Sequence, residues 1–177
     1  MLDKDLFARA GVTDLSLLRD LSFIDGGWVA GDAAAPIPVT NPADGARIGD
    51  VAALTPAQSK AAVDRADAAF AAWSGALPQA RGAVLRRWFE LVLESKEDLA
   101  RIMVLEQGKP LSEARGEIDY AASFLEFYAE EAKRPNIEGV TSHLPDAEVE
   151  LWLEPVGVAA LVTPWNFPAA MLTRKAA

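Results

Sequence analysis

Over the first 21 residues the apolar positions recur loosely at helical spacing (Leu6, Ala10, Leu15, Leu18, Leu21), with a break at Gly11. That pattern predicts a short helix or a peripheral tail. The spacing then shortens. Phe23-Ile24 and Trp28-Val29 flank Asp25-Gly26-Gly27, and Ile37 to Thr40 and Ala46 to Val51 flank Asn41-Pro42-Ala43-Asp44-Gly45. Apolar runs around Asp-Gly are a hairpin signal, so residues 22–53 are predicted to form two small hairpins.

Helical spacing returns after Thr55. Thr55 is a good N-cap, Pro56 suits the first helical position and Gln58 completes a capping box. Val63, Ala66, Phe70 and Trp73 then recur on one face until Gly75 and Pro78. The next helix carries Leu85, Trp88, Phe89, Val92 and Leu93. Ser95, with Asp98 three residues on, reads as a fresh cap for Leu99, Ile102, Met103 and Leu105. Gly108 and Pro110 stop that segment in the usual order. A further helix runs from about Ser112 with Ile118, Ala121, Leu125 and Tyr128 inward. Lys133 and Arg134 suit its carboxyl end and Pro135 closes it.

Residues 136–147 are polar and turn-rich. Val149, Leu151 and Leu153 alternate with Glu148, Glu150 and Glu154, which predicts a half-exposed strand. Val156 to Thr163 is apolar on both faces and predicts a strand covered on both sides, as in a parallel sheet. The Pro164-Trp165-Asn166 turn follows, and Pro168 opens a helix. A strand running through a tight turn into a helix is where α/β proteins bind ligands. A parallel strand needs neighbours, and no second one of this kind precedes Ala177. The expected architecture is therefore α/β, the front part of a larger protein.

Composition narrows the function. The chain has 177 residues, 51% of them apolar and 24% charged, so a folded domain is expected. The net charge is −9 without any cluster of Lys and Arg, which argues against nucleic acid or an anionic membrane as partner. There is no cysteine and only one histidine, His143, so neither a disulfide nor a metal site is expected. No signal peptide and no run of roughly 18 apolar residues is seen. The expected location is cytoplasmic. Neither GxGxxG nor GxxxxGK[ST] occurs.

Two features of the last twenty residues carry chemistry. Asn166 stands in the turn, where its amide could donate to a developing oxyanion or merely cap the helix that follows. Phe167, Ala170, Met171 and Arg174 lie at i, i+3, i+4 and i+7 on one helical stripe. They could wall a pocket for an apolar chain ending in an anion, with Arg174 gripping a carboxylate. They could equally be a core stripe whose arginine reaches out to water. Lys109 and Lys175 read as solvated charges, and Glu117 and Asp119 do not read as an acid/base couple.

The string Thr163-Pro164-Trp165-Asn166-Phe167-Pro168 resembles the aldehyde dehydrogenase superfamily. Other segments agree in order: Ile24 to Trp28, Thr40-Asn41-Pro42 with Gly45, Leu105-Glu106-Gln107-Gly108-Lys109-Pro110, and Glu154-Pro155-Val156-Gly157-Val158. Together they cover residues 22–177. Ala121-Ala122-Ser123-Phe124 and Met171-Leu172-Thr173-Arg174-Lys175-Ala176 resemble the NAD(P)-dependent succinate-semialdehyde dehydrogenases.

The resemblance implies the N-terminal part of that fold: small β-hairpins and three helices leading into the first strand of a Rossmann-like parallel sheet. It implies hairpins and helices of the cofactor-binding domain over 1–136, oligomerisation strands over 137–155, and the first buried strand with the start of its helix over 156–177. Asn166 matches the catalytic oxyanion donor. Val162, Thr163, Pro164 and Trp165, with Asn166, match the groove for NAD or NADP. Phe167, Ala170, Met171 and Arg174 match the substrate tunnel, with Arg174 on the carboxylate of succinate semialdehyde. The implied reaction is oxidation of succinate semialdehyde to succinate through a cysteine thiohemiacetal and hydride transfer, in a dimer or tetramer. The family's nucleophilic cysteine, general-base glutamate and cofactor-binding lysine all match positions after 177. The chain alone is therefore expected to be inactive. The alternative is a non-catalytic remnant or partner-binding subunit of the same fold.

Overall fold

The computed structural model describes residues 1–33, 35–134 and 137–177. The expected closing proline, Pro135, lies outside the described residues. The fold is mixed α/β, built from three separate antiparallel strand pairs and six α-helices among the described residues.

The N-terminal half follows the turn chemistry. Helix α1 (Lys4–Arg9) and a 3-10 turn at Leu15–Leu17 precede strands β1 (Ser22–Ile24) and β2 (Gly27–Val29). Ile24 pairs with Gly27, so Asp25-Gly26 is a two-residue turn with both residues at positive φ. Strands β3 (Ile37–Thr40) and β4 (Arg47–Val51) form the second hairpin, irregular between Val39 and Thr40. The tail is not peripheral. Leu2, Phe7, Val12 and Leu18 are buried with Ile48 of β4 in one apolar cluster.

The predicted capping box opens α2 (Pro56–Ser74), with Thr55 and Gln58 exchanging both bonds. Its expected inward stripe is not covered: α2 buries no residue, and Val63 and Trp73 are half exposed. Spacing shows which residues share a face, and does not say whether another element covers it. The three helices implied by the resemblance are four here, because the chain breaks at Ser95 between α3 (Pro78–Glu94) and α4 (Lys96–Gln107). Gly108 at φ 78° ends α4, a left-handed conformation that favours glycine. Helix α5 (Leu111–Glu131) follows.

Helix α5 is the spine of the packing. Ala114, Ile118, Ala121, Ala122, Leu125 and Ala129 are all buried, while the expected inward Tyr128 lies at the surface. Small residues let α3 come close. A Cβ on Gly82 of α3 would stand 2.8 Å from the Ala129 carbonyl oxygen. Helix α4 joins the two apolar clusters. Its Ile102 and Leu105 pack on the tail, and its Ala100 and Met103 pack with Ala114 and Ile118.

The tail is also held by a polar anchor. Ser95 makes no side-chain cap bond, and Asp98 does not serve α4. The buried Asp98 carboxylate instead accepts from the Thr13 amide at 2.7 Å, the Thr13 hydroxyl at 2.8 Å and the Asp14 amide at 2.9 Å. Arg101 donates to the Ala10 carbonyl at 2.9 Å.

The C-terminal part departs most from expectation. Ile137–Val140, inside a stretch that reads as polar loop, is strand β5, paired antiparallel with β6 (Val149–Trp152). The partner strand makes it a strand, since four residues around Gly139 carry little signal of their own. Val156 to Thr163 does not form the covered strand its composition predicts. It joins no β-ladder, and Val156 is 97% and Val162 82% exposed. Apolar composition alone cannot make a strand without a neighbour to complete the ladder. Helix α6 (Pro168–Ala176) closes the chain.

Asp98→Ala should lower the unfolding free energy by about 2–3 kcal/mol, because buried amides lose their acceptor, as read from urea midpoints. Burial pushes the Asp98 carboxyl up, but the bonds from Thr13 and Asp14, with Arg101 nearby, hold it below its ordinary 3.8. Its stabilisation is therefore complete above pH 3.8 and lost as pH falls through the lower folded value. The variant's deficit should shrink in that acid range.

Candidate active site

The site forms where the uncovered run 156–163 turns into α6. Pro168 occupies the first helical position, where its missing N–H costs nothing. The residue before the helix, Phe167, gives no side-chain cap. The cap comes from another helix. Glu117 of α5, whose side chain is 0% exposed, accepts from the Ala169 amide at 2.9 Å and the Ala170 amide at 3.3 Å through Oε1. Its Oε2 accepts from Lys109 Nζ. Lys109 also donates to the Asn166 carbonyl at 2.7 Å and lies 4.1 Å from the centre of the Phe167 ring.

This arrangement bears on the capping reading of Asn166. Glu117 takes the capping role, and no described residue hydrogen-bonds the Asn166 side-chain amide. The amide is a free donor on a backbone pinned through its own carbonyl. The solvated reading fails for Lys109, whose side chain is 9% exposed. Lys175 turns back to donate to the Val162 carbonyl. Asp119 stays at the surface, 2.6 Å from Lys96.

The other predicted positions divide by exposure. Val162 and Trp165, the latter 80% exposed, flank the partly covered Thr163 and the exposed Pro164. That gives an accessible apolar shelf. Trp165 and Pro168 also border an apolar groove with Leu99, Ile102, Met103 and Glu106 of α4. On α6, Phe167 and Arg174 are exposed, Met171 is partly covered and Ala170 is fully buried. The Arg174 guanidinium carbon lies 5.8 Å from the centre of the Phe124 ring on α5. Asn166 lies in the turn two residues before α6, and Arg174 lies in the last turn of α6. Among the described residues no cluster of His, Cys, Asp and Glu could hold a metal ion, and no helix is long and apolar enough to cross a membrane.

An aldehyde dehydrogenase family model matches residues 28–177. The chain belongs to the aldehyde dehydrogenase family. It is similar to the glutarate-semialdehyde dehydrogenase of Pseudomonas putida, 50% identical over 163 residues, which is 92% of this chain and 34% of that protein. It is similar also to the succinate-semialdehyde dehydrogenase [NADP(+)] of Escherichia coli, 46% identical over 165 residues, 93% of this chain and 34% of that one. The crystal structure of an NADP dependent enzyme from E. coli superposes with a TM-score of 0.88 at 46% identity, covering 93% of this chain and 34% of the other. This aldehyde dehydrogenase chain thus spans about a third of the length of the proteins it matches.

Lys109 and Glu117 are the site residues that sequence reasoning missed. A signal was present: Glu117 falls on the stripe Ala114, Ile118, Ala121 at i, i+3, i+4 spacing. A charge on an apolar stripe requires a buried partner. Glu106 at the edge of the groove is exposed, and the partial cover of its apolar neighbours pushes its carboxyl above the ordinary 4.5.

Proposed function

We propose that this chain supplies the oxyanion donor and the anion-binding arginine of a dehydrogenase that oxidises succinate semialdehyde to succinate with NAD or NADP. The observation that carries the reading is the Asn166 amide, free of protein partners while its backbone is pinned by Lys109. A donor on a held backbone that is not spent on another protein group suits a developing oxyanion, since little reorganisation is needed when the charge appears.

In this reading a cysteine thiolate from outside these 177 residues adds to the aldehyde carbon, and the carbonyl oxygen becomes the alkoxide that Asn166 receives. The chain contains no cysteine and is inactive alone on this account, because a thiolate is required for the covalent step. The bound cofactor supplies the hydride acceptor, with Val162, Thr163, Pro164 and Trp165 beside the nicotinamide. Loss of the hydride leaves a thioester, which water hydrolyses to the acid. Phe167 and Met171 flank the substrate chain, with Ala170 packed behind them against α5, and Arg174 holds its distal carboxylate.

Support for the substrate comes from two sides. Both relatives named above act, by name, on semialdehydes of dicarboxylic acids. The Arg174 guanidinium, 5.8 Å from the centre of the Phe124 ring, is exposed and so open to a carboxylate. The same reading assigns 1–136 and 156–177 to the cofactor-binding domain and 137–155 to contacts between copies in a dimer or tetramer. The β5–β6 pair, exposed at every position, supports the latter. A non-catalytic partner-binding subunit gives no reason for an amide without a described protein partner at the turn that opens the helix carrying Arg174.

In the full-length dehydrogenase, Arg174→Ala should lower kcat/KM for succinate semialdehyde by about 10–100-fold, the value of a charge-assisted pair. An uncharged aldehyde of similar length should lose little. Equal losses on both substrates would refute the carboxylate role. Asn166→Ala should lower kcat by ~10²–10³ on either substrate.

A further inference from the structure

The geometry points to Lys109 and Glu117 as positioning residues for the reaction proposed above, acting through Asn166. The inference rests on that reading of Asn166. Neither residue touches the Asn166 amide. Between them they hold the main chain on both sides of the Phe167-Pro168 link. Lys109 fixes the carbonyl of Asn166, and Glu117 fixes the amides of Ala169 and Ala170.

The ion pair between Lys109 and Glu117 ties these two grips into one unit. The Lys109 ammonium against the Phe167 ring adds a third contact on the same five residues. A buried carboxylate is stable here because an ammonium and the positive end of α6 both face it. The arrangement sets the direction in which the Asn166 side chain leaves the backbone. It also sets the rotation of α6, and with it the direction of Arg174. A displacement of about 1 Å at a reacting group can cost about 100-fold in rate, so a clamp on this backbone controls turnover without contacting substrate.

The test is a double-mutant cycle in the full-length dehydrogenase, on the uncharged aldehyde, which makes no use of Arg174, with saturating cofactor. Lys109→Met should lower kcat by about 10–100-fold, with a smaller change in KM. In the Asn166→Ala background the same substitution should have almost no further effect, because the group it positions is gone. Lys109→Arg, which can still donate to the Asn166 carbonyl, should recover most of the rate. Should Lys109→Met not fold, Glu117→Gln replaces it. That variant keeps an acceptor for the α6 amides but loses the charge that holds Lys109, and the same non-additivity is expected. Equal losses from the Lys109 or Glu117 substitution with and without Asn166 would overturn the positioning role while leaving the oxyanion role intact. A silent Asn166→Ala would overturn both.

Discussion

A carboxylate removed from water costs several kcal/mol unless charge and hydrogen bonds compensate it, and Glu117 is the point where this protein meets that cost. Its two oxygens take two backbone amides and one ammonium. Helix α6 has nine residues, too few to be stable by itself in water. It exists because α5 supplies both an apolar surface and an anion at its amino end. Every proposed role of Asn166 and Arg174 depends on that docking, since both residues take their direction from α6 or the turn before it. Losing one partner of such a pair costs roughly 3–5 kcal/mol, more than a surface ion pair contributes by several-fold.

The rest of the charge network is of a different kind. Arg115 grips Glu97 with two nitrogens at 2.7 and 2.8 Å and holds its carboxyl down to about 2. Arg86 spans Glu126 and Glu130. These pairs lie in water, where they fix helix faces relative to one another with little net gain. The structure concentrates its buried charge at two places only among the described residues, the Glu117 clamp and the Asp98 anchor.

Local chemistry made the front of the fold legible. Asp25-Gly26, the Thr55–Gln58 box and Gly108 each specify a backbone conformation within a few residues, and all three behave as read. Long-range pairing was not legible. Asp98 looks like part of a cap beside Ser95, yet its partners lie 84 and 85 residues away. Lys109 looks solvated until α5 turns Glu117 toward it. Val156 to Thr163 has the composition of a covered strand, but a ladder needs a neighbour, and none pairs with it among the described residues. The candidate site was legible as residue types at a turn and along one stripe. What was hidden was the support beneath them, which belongs to a helix some fifty positions earlier.

The Asp98 anchor also orders events in time. Thr13 and Asp14 leave the ribosome before the residue they bind, which is made 85 and 84 positions later. Until α4 is synthesised, Phe7, Val12 and Leu18 have only the hairpins to shelter them, and closing so long a loop is entropically slow to repay. This segment is thus made well before it can settle. For several seconds at typical elongation rates of ~5–20 residues per second, the nascent chain carries an apolar stretch in search of its seat.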